Sequence, residues 1–205
     1  METLSKWFPA LTPEQEARFA QMEALYGEWN ARINVISRKD MDNLEMHHFA
    51  HSLAIAKVID FPAGSTVLDV GTGGGFPGIP LAVFFPECHF TLCDSIGKKI
   101  KVAQAVADGL ELANVSCVNA RVESIQGRFD YVVSRAVTDL ATFYPWVKGR
   151  FTKAIFYLKG GDLDEEIATC VRHCRLDPGK ILQTPVSNWL SDPWFEEKKI
   201  VTIVQ

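Results

Sequence analysis

A chain of 205 residues that is 47% hydrophobic and 22% charged is ordinary globular material, long enough for one core with a modest extension. Its longest apolar stretch, 79–85, contains Pro80 and is far too short to cross a bilayer, and residues 1–10 hold no apolar run of the secretory kind. The net charge of −4 excludes a uniformly basic nucleic-acid binder, but residues 94–160 carry ten Lys and Arg against six Asp and Glu, so the middle of the chain is locally basic.

In chain order, Thr12-Pro13-Glu14-Gln15 predicts a helix start, with Thr12 as cap, Pro13 in the first turn and Gln15 completing the capping box. Phe19, Met22, Leu25 or Tyr26, Trp29 and Ile33 recur at helical spacing, so Tyr26 and Trp29 are expected in the core. A second helix is predicted over 43–59. Pro62-Ala63-Gly64-Ser65 closes this region, which divides the chain into a helical extension, 1–63, and a core unit, 64–205.

Beyond it, short apolar strands are predicted at 66–70, 89–93, 115–118, 129–134 and 154–158, with helices at 78–85, 97–110, 140–148 and 162–173. That alternation implies an α/β fold whose mostly parallel sheet is covered on both faces. Two late strands, 181–186 and 199–204, have no clear helix between them and predict a hairpin that adds an antiparallel edge. The five cysteines (Cys88, Cys93, Cys117, Cys170, Cys174) are odd in number and scattered, which suits reduced thiols and a cytoplasmic setting.

The most informative stretch is Leu68-Asp69-Val70-Gly71-Thr72-Gly73-Gly74-Gly75-Phe76-Pro77-Gly78, between the first core strand and its helix. A tight strand-to-helix turn needs unusual backbone angles, and a ligand must approach without meeting a Cβ. In open α/β sheets this crevice is where cofactors bind. The dinucleotide fingerprint fails because Phe76 stands where its third glycine belongs, and no Gly-Lys-Ser/Thr completes a P-loop. An acidic residue ending the strand, Asp69, followed by G-x-G instead resembles the S-adenosylmethionine loop of Rossmann-like methyltransferases. Asp94, at the end of the second core strand, is placed to accept hydrogen bonds from ribose hydroxyls. S-adenosylmethionine carries no phosphate, so no anion cradle is required.

Several segments in order carry a wider resemblance: Trp29-Asn30 with Asn34, HFAHSL at 48–53, DVGTGGGFPGIPL at 69–81, CDSIGKK at 93–99, Arg121-Val122-Glu123, Ser134-Arg135-Ala136 and Leu158-Lys159-Gly160. Together, over about residues 25–160, the chain resembles the bacterial family of small-subunit ribosomal RNA guanine-N7 methyltransferases, also called glucose-inhibited division protein B. The resemblance implies a class I methyltransferase core, a seven-strand mostly parallel sheet with an antiparallel edge hairpin, preceded by helices. It implies that the stretch from Gly71 to Phe76, with Gly73 and Gly75 within it, holds the methionine part of S-adenosylmethionine. Asp94 would face the ribose, and Val122 and Glu123 would line the adenine pocket. Arg135, after the fourth core strand, would stand where cofactor and target base meet. Lys98, Lys99, Arg121, Arg135 and Lys159 become the candidates for RNA contact. The implied partner is 16S ribosomal RNA, in the small subunit or an assembly intermediate, and a monomeric enzyme is expected. Where the family carries aspartate, this chain has His51.

The residues after the fourth core strand, Ser134-Arg135-Ala136-Val137, lack the Asn/Asp-Pro-Pro-aromatic motif of enzymes that methylate exocyclic amines. Guanine N7 offers its lone pair directly, so no general base is required and Arg135 is expected to position rather than to move a proton. Its target should be unpaired or flipped out. Simpler roles stand beside these. Lys98, Lys99 and Lys101 also suit a solvated helix face, Arg121 an ion pair with Glu123 or another acid, and Lys159 an exposed strand end. Neither His47, His48 and His51 nor Cys170-x-x-His173-Cys174 completes a metal-site pattern, and no metal is expected. Competing functions are methyl transfer to a small molecule or protein, nicotinamide-dependent oxidation, and a non-catalytic role in ribosome assembly.

Overall fold

In the computed structural model, which describes residues 2–205 with the side chains of residues 2, 3 and 38 excepted, the alternating apolar runs assemble into a seven-stranded sheet. The strands are β1 (Thr66–Val70), β2 (His89–Asp94), β3 (Val115–Asn119), β4 (Phe129–Arg135), β5 (Phe151–Gly160), β6 (Ile181–Pro185) and β7 (Lys198–Val204). Their order is β3-β2-β1-β4-β5-β7-β6. The first five run parallel, while β7 is antiparallel to both neighbours, β5 and β6. The predicted hairpin forms, with one correction. Its antiparallel member, β7, is inserted between β5 and β6, and the outermost strand is β6. Residues Ile200, Val201 and Ile203 explain the placement: they are fully buried and belong inside a sheet, whereas Leu182 on β6 is 56% exposed and tolerates an edge.

The helices are α1 (Glu2–Trp7), α2 (Pro13–Asn30), α3 (Arg38–Met41), α4 (His51–Leu53), α5 (Gly78–Phe84), α6 (Gly97–Gly109), α7 (Leu140–Val147) and α8 (Asp164–Cys174). The capping box of α2 is present: Gln15 N donates to Thr12 Oγ1 at 3.3 Å and Thr12 N to Gln15 Oε1 at 3.0 Å. Gln15 Nε2 then donates to the carbonyls of Val83 and Phe84, so the cap also docks α2 on the end of α5.

The segment predicted as one helix over 43–59 is helical throughout its centre but changes winding. A widened π-type turn at Glu45–Ala50 leads into α4, which tightens to 3₁₀ over Ala54–Lys57. Every residue from Phe49 to Ile55 is buried. A helix enclosed on all sides has no polar face, so periodicity cannot report its register.

Alternate residues of each strand point to opposite faces. Val67, Tyr131, Val133 and Phe156 join the core beneath α2, α4, α5 and α6, while Leu68, Val132, Ile155 and Tyr157 join the core beneath α7 and α8. The N-terminal segment shares the first of these cores. Phe49 meets Phe19, Tyr26 and Phe76 at ring distances of 5.6, 6.4 and 6.3 Å. Truncating Phe49 to Ala should therefore cost about 3–5 kcal/mol, and guanidinium unfolding should remain a single transition. Two transitions would show that 1–63 folds apart from 64–205.

Candidate active site

The strand order reverses between β1 and β4, whose carboxyl ends diverge and leave the crevice typical of open α/β sheets. A cavity of about 480 Å³ lies there, walled by the glycine loop, the ends of β2 and β4 and the turn at Val122–Ser124. Gly71 has φ +67°, and a Cβ on it would lie 2.4 Å from Val137 Cγ2, so the loop after β4 can close onto it only because it is glycine.

Three acceptor or donor groups from other positions set the loop. Asp69, at the end of β1, accepts from Thr72 Oγ1 at 2.6 Å and from Gly78 N at 2.8 Å. Asp94 Oδ2 accepts from Gly73 N at 3.0 Å, while its Oδ1 accepts from Ile96 N at 2.8 Å. Tyr26, from α2, donates to the Gly74 carbonyl at 2.7 Å and stacks on Phe76 with centroids 4.7 Å apart. Asn30 adds a further support. It accepts from the amides of Val35 and Ile36 and donates to the Ile36 carbonyl. The closed turn lays Val35 against Gly74, where a Cβ would meet Val35 Cγ2 at 2.9 Å.

Burial pushes the Asp69 carboxyl up to about 7, against the pull of its bonds to Thr72 and Gly78, and its Oδ1 has no partner. Cys93, beside it, is pushed up to about 12 by burial and so remains a thiol. Arg135, at the end of β4, is enclosed: its guanidinium lies 5.0 Å from the Phe76 ring centroid, and Nη1 donates to the His47 carbonyl at 3.2 Å. Burial lowers its pKa to about 10, so it stays a cation. Among the described residues it makes no ion pair.

The chain after Arg135 turns through Ala136 at φ +50°, a left-handed conformation that is uncommon for a residue with a Cβ. Tyr157 on β5 holds it there. Its hydroxyl accepts from Val137 N and Thr138 N, both at 2.9 Å, and donates to Thr138 O at 2.8 Å. Lys159 completes the clamp by donating to Thr138 O at 2.9 Å and pairing with Glu166, which in turn accepts from Leu140 N at the start of α7.

Of the cofactor-site residues expected from the sequence, Gly71, Gly73, Phe76, Asp94, Val122, Glu123 and Arg135 line the cavity. Gly75 does not. It faces inward, where a Cβ would meet Ile79 and the Tyr26 hydroxyl. Of the basic candidates, Lys99, Arg121 and Arg135 line the cavity, and Lys98 is exposed on α6 outside it. Arg121 makes no ion pair with Glu123 among the described residues. Lys159 is not at the cavity: its side chain is only 11% exposed and is spent on Glu166 and the Thr138 carbonyl. A strand-end lysine looks free in a sequence, and only the approach of α8 reveals its partner. Tyr26 is fully buried as expected, whereas Trp29 is only partly buried. Sequence reasoning missed Val35, Val137 and Trp146. Asn30, inside the quoted Trp29-Asn30 motif, was the one available pointer to Val35.

The three histidines separate. His47 Nδ1 lies 3.0 Å from Asp40 Oδ1 and its ring stacks on Trp194 at 4.1 Å. His48 meets Arg135, and His51 is buried edge-on to Trp194. Among the described residues no three His, Cys, Asp or Glu side chains gather into a metal-holding group, and no helix is long and apolar enough to cross a membrane.

The cavity suits S-adenosylmethionine. Its volume is in the usual range for a cofactor site. A carboxylate has about four lone-pair directions, and Asp94 has committed two to backbone amides, leaving two for a pair of ribose hydroxyls. Val122, Val35 and Phe76 offer apolar surface for adenine and the aliphatic chain. Fold and site define an S-adenosylmethionine-dependent methyltransferase of the Rossmann-like class. Solved structures share that fold: magnesium protoporphyrin IX methyltransferase from Synechocystis superposes with a TM-score of 0.63 at 14% identity, covering 95% of this chain and 98% of its own. A SAM-dependent methyltransferase from Aquifex aeolicus gives 0.57 at 17% identity, covering 82% and 98%.

Residues 15–189 match the model of the family described as rRNA small subunit methyltransferase G, and the chain belongs to that family. Proteins named ribosomal RNA small subunit methyltransferase G are 51% identical in Flavobacterium psychrophilum (99% of this chain, 97% of that one) and 47% identical in Bacteroides thetaiotaomicron (98% of each).

Two outcomes follow from this geometry. Tyr157→Phe leaves the ring packed but strips the Val137 and Thr138 amides of their acceptor, so stability should fall by about 1–3 kcal/mol and activity should fall with the loop displaced; urea unfolding beside a methyl-transfer assay measures both. For Asp69 the folded carboxyl is harder to ionise than the unfolded one at 3.8. Its contribution to stability is therefore complete below that value and is lost as pH rises through about 7. Unfolding of the cofactor-free protein between pH 4 and 8 should show this decline, and Asp69→Asn should flatten it.

Proposed function

We propose that this enzyme transfers a methyl group from S-adenosylmethionine to N7 of a guanine in 16S ribosomal RNA. The observation that carries this reading is the end of β4. Where an exocyclic-amine methyltransferase needs polar acceptors, this chain places Arg135, Ala136 and Val137, beside a cavity rimmed by Lys99 and Arg121. The Ser134 hydroxyl there is buried and donates to the Val70 carbonyl at 2.7 Å, and the Tyr157 hydroxyl is committed to the backbone of Val137 and Thr138.

S-adenosylmethionine supplies an electrophilic methyl on a sulfonium centre. The chain's own residues do the rest by placement. Guanine N7 presents a lone pair on the base edge that Watson–Crick pairing leaves free, and no proton has to leave. Holding that atom in line is a proximity effect, worth orders of magnitude without acid–base chemistry. The Asp94 carboxylate and the Val122–Glu123 turn hold the nucleoside half of the cofactor. The glycine loop shapes the floor, and the rigid loop 135–138 forms the opposing wall. Because the methylated base gains positive charge, a free cation against N7 would oppose the reaction. Arg135 is tethered to the His47 carbonyl, so its charge serves to orient O6 or an RNA phosphate. Arg121 and Lys99 at the mouth suit phosphates, and Lys98 extends the same basic helix end. The target guanine must be unpaired or flipped to enter, and the substrate is the small subunit or an assembly intermediate. The protein acts in the cytoplasm as a monomer.

Incubation with labelled S-adenosylmethionine and small subunits lacking the modification should label the RNA, and borohydride–aniline cleavage should map one N7-methylguanine. Arg135→Ala should lower the rate by about 10-fold or more, as expected for a lost hydrogen bond to a charged group. Label without cleavage would exclude N7.

A further inference from the structure

Arg135 is a half-buried cation that makes no ion pair among the described residues, and such a group is costly unless its donors are satisfied. Its support comes from the widened helical turn at Glu45–Ala50. Nη1 donates to the His47 carbonyl at 3.2 Å, and Nη2 lies 2.9 Å from His48 Nδ1. A guanidinium has donors only, so His48 must present the Nδ1 lone pair and carry its proton on Nε2. The His48 ring also sits 4.9 Å from the Phe76 ring, the same ring that Arg135 lies over. Burial first and the Arg135 charge second push His48 down to about 3, so the acceptor is available at any physiological pH. Of the carboxylates near this pair, Asp40 is bonded to His47 and Ser37, and Asp69 to Thr72 and Gly78. His48 is thus wedged between the cation and the aromatic wall of the cavity.

We propose that His48 is a positioning residue for methyl transfer, fixing the Arg135 guanidinium against Phe76 by accepting a hydrogen bond at Nδ1. The inference rests on the methyl-transfer reading of the cavity and deepens it: the N-terminal segment, distant in sequence, completes the wall that meets the RNA. Without the Nδ1 acceptor, the guanidinium has one tether and is free to leave its place over Phe76 and swing further into the cavity, where its charge opposes the developing charge on the base.

The test is a double-mutant cycle with full-length protein on unmodified small subunits. His48→Leu keeps the volume and removes the acceptor; His48→Asn returns an acceptor at the δ position. His48→Leu should lower kcat by about 10- to 100-fold, with a melting temperature close to that of the parent. His48→Asn should restore most of that rate. In the Arg135→Ala background, His48→Leu should cause little further loss, because the interaction is already gone. Equal losses from His48→Leu in both backgrounds, or failure of His48→Asn to restore a rate at unchanged melting temperature, would overturn the proposal. If the parent protein binds S-adenosylhomocysteine yet labels no RNA, the substrate reading fails instead, and the same cycle run on cofactor affinity still decides whether His48 and Arg135 are coupled.

Discussion

A glycine loop has no side chains with which to hold its own shape. The loop between β1 and α5 is therefore shaped from outside, and the site depends on how that is done. Asp69 ties its two ends through Thr72 and Gly78, Asp94 pins its middle from β2, and Tyr26 caps the Gly74 carbonyl from α2. These groups come from three separate elements. The nucleotide-like half of the cofactor site cannot form until β1 and β2 have paired, and the floor is not complete until the N-terminal helix has docked. That explains why the helical extension shares a core with the sheet. It supplies Tyr26 and Val35 to the loop and His47 and His48 to the opposite wall.

The second wall obeys a similar logic with opposite charge. Arg135 is half-buried and makes no ion pair among the described residues, Asp69 is buried with one orphaned oxygen, and both stand near the glycine loop. In a region of low dielectric such groups interact strongly with whatever charge enters. A cofactor that brings a carboxylate, an ammonium and a sulfonium centre has use for both signs. The loop after β4 is rigid because Tyr157 and Lys159 satisfy its backbone from β5, and Glu166 links the clamp to α7 and α8. The helices on that face act on the site through this clamp and through Trp146 of α7, which lines the cavity.

The glycine loop was legible because a strand carrying an acid is followed by five glycines within eight residues, a density that suits close approach of a ligand to backbone. Asp94 was legible from its place at a strand end. Gly75 misled because its spacing matches its neighbours, although its Cα faces Ile79 and Tyr26 instead of the cavity. Lys159 misled because an isolated lysine looks solvated until the start of α8 folds back and brings Glu166 against it. The segment over 43–59 was legible as helix but not in its winding, since burial on all sides removes the periodic signal.

By itself, the sequence determined the alternation of strands and helices, hence the α/β class, and it determined the cofactor loop, because these are local patterns of apolar spacing and backbone freedom. The tertiary structure alone decided the insertion of β7 inside the sheet edge, the seating of Val35 on Gly74, the burial of Lys159, and the His48–Arg135 contact across 87 residues. Each of these depends on how separate elements of the fold pack against one another. Whether a polar side chain meets solvent, substrate or another side chain depends on what packs against it, and that is set only when the whole core closes.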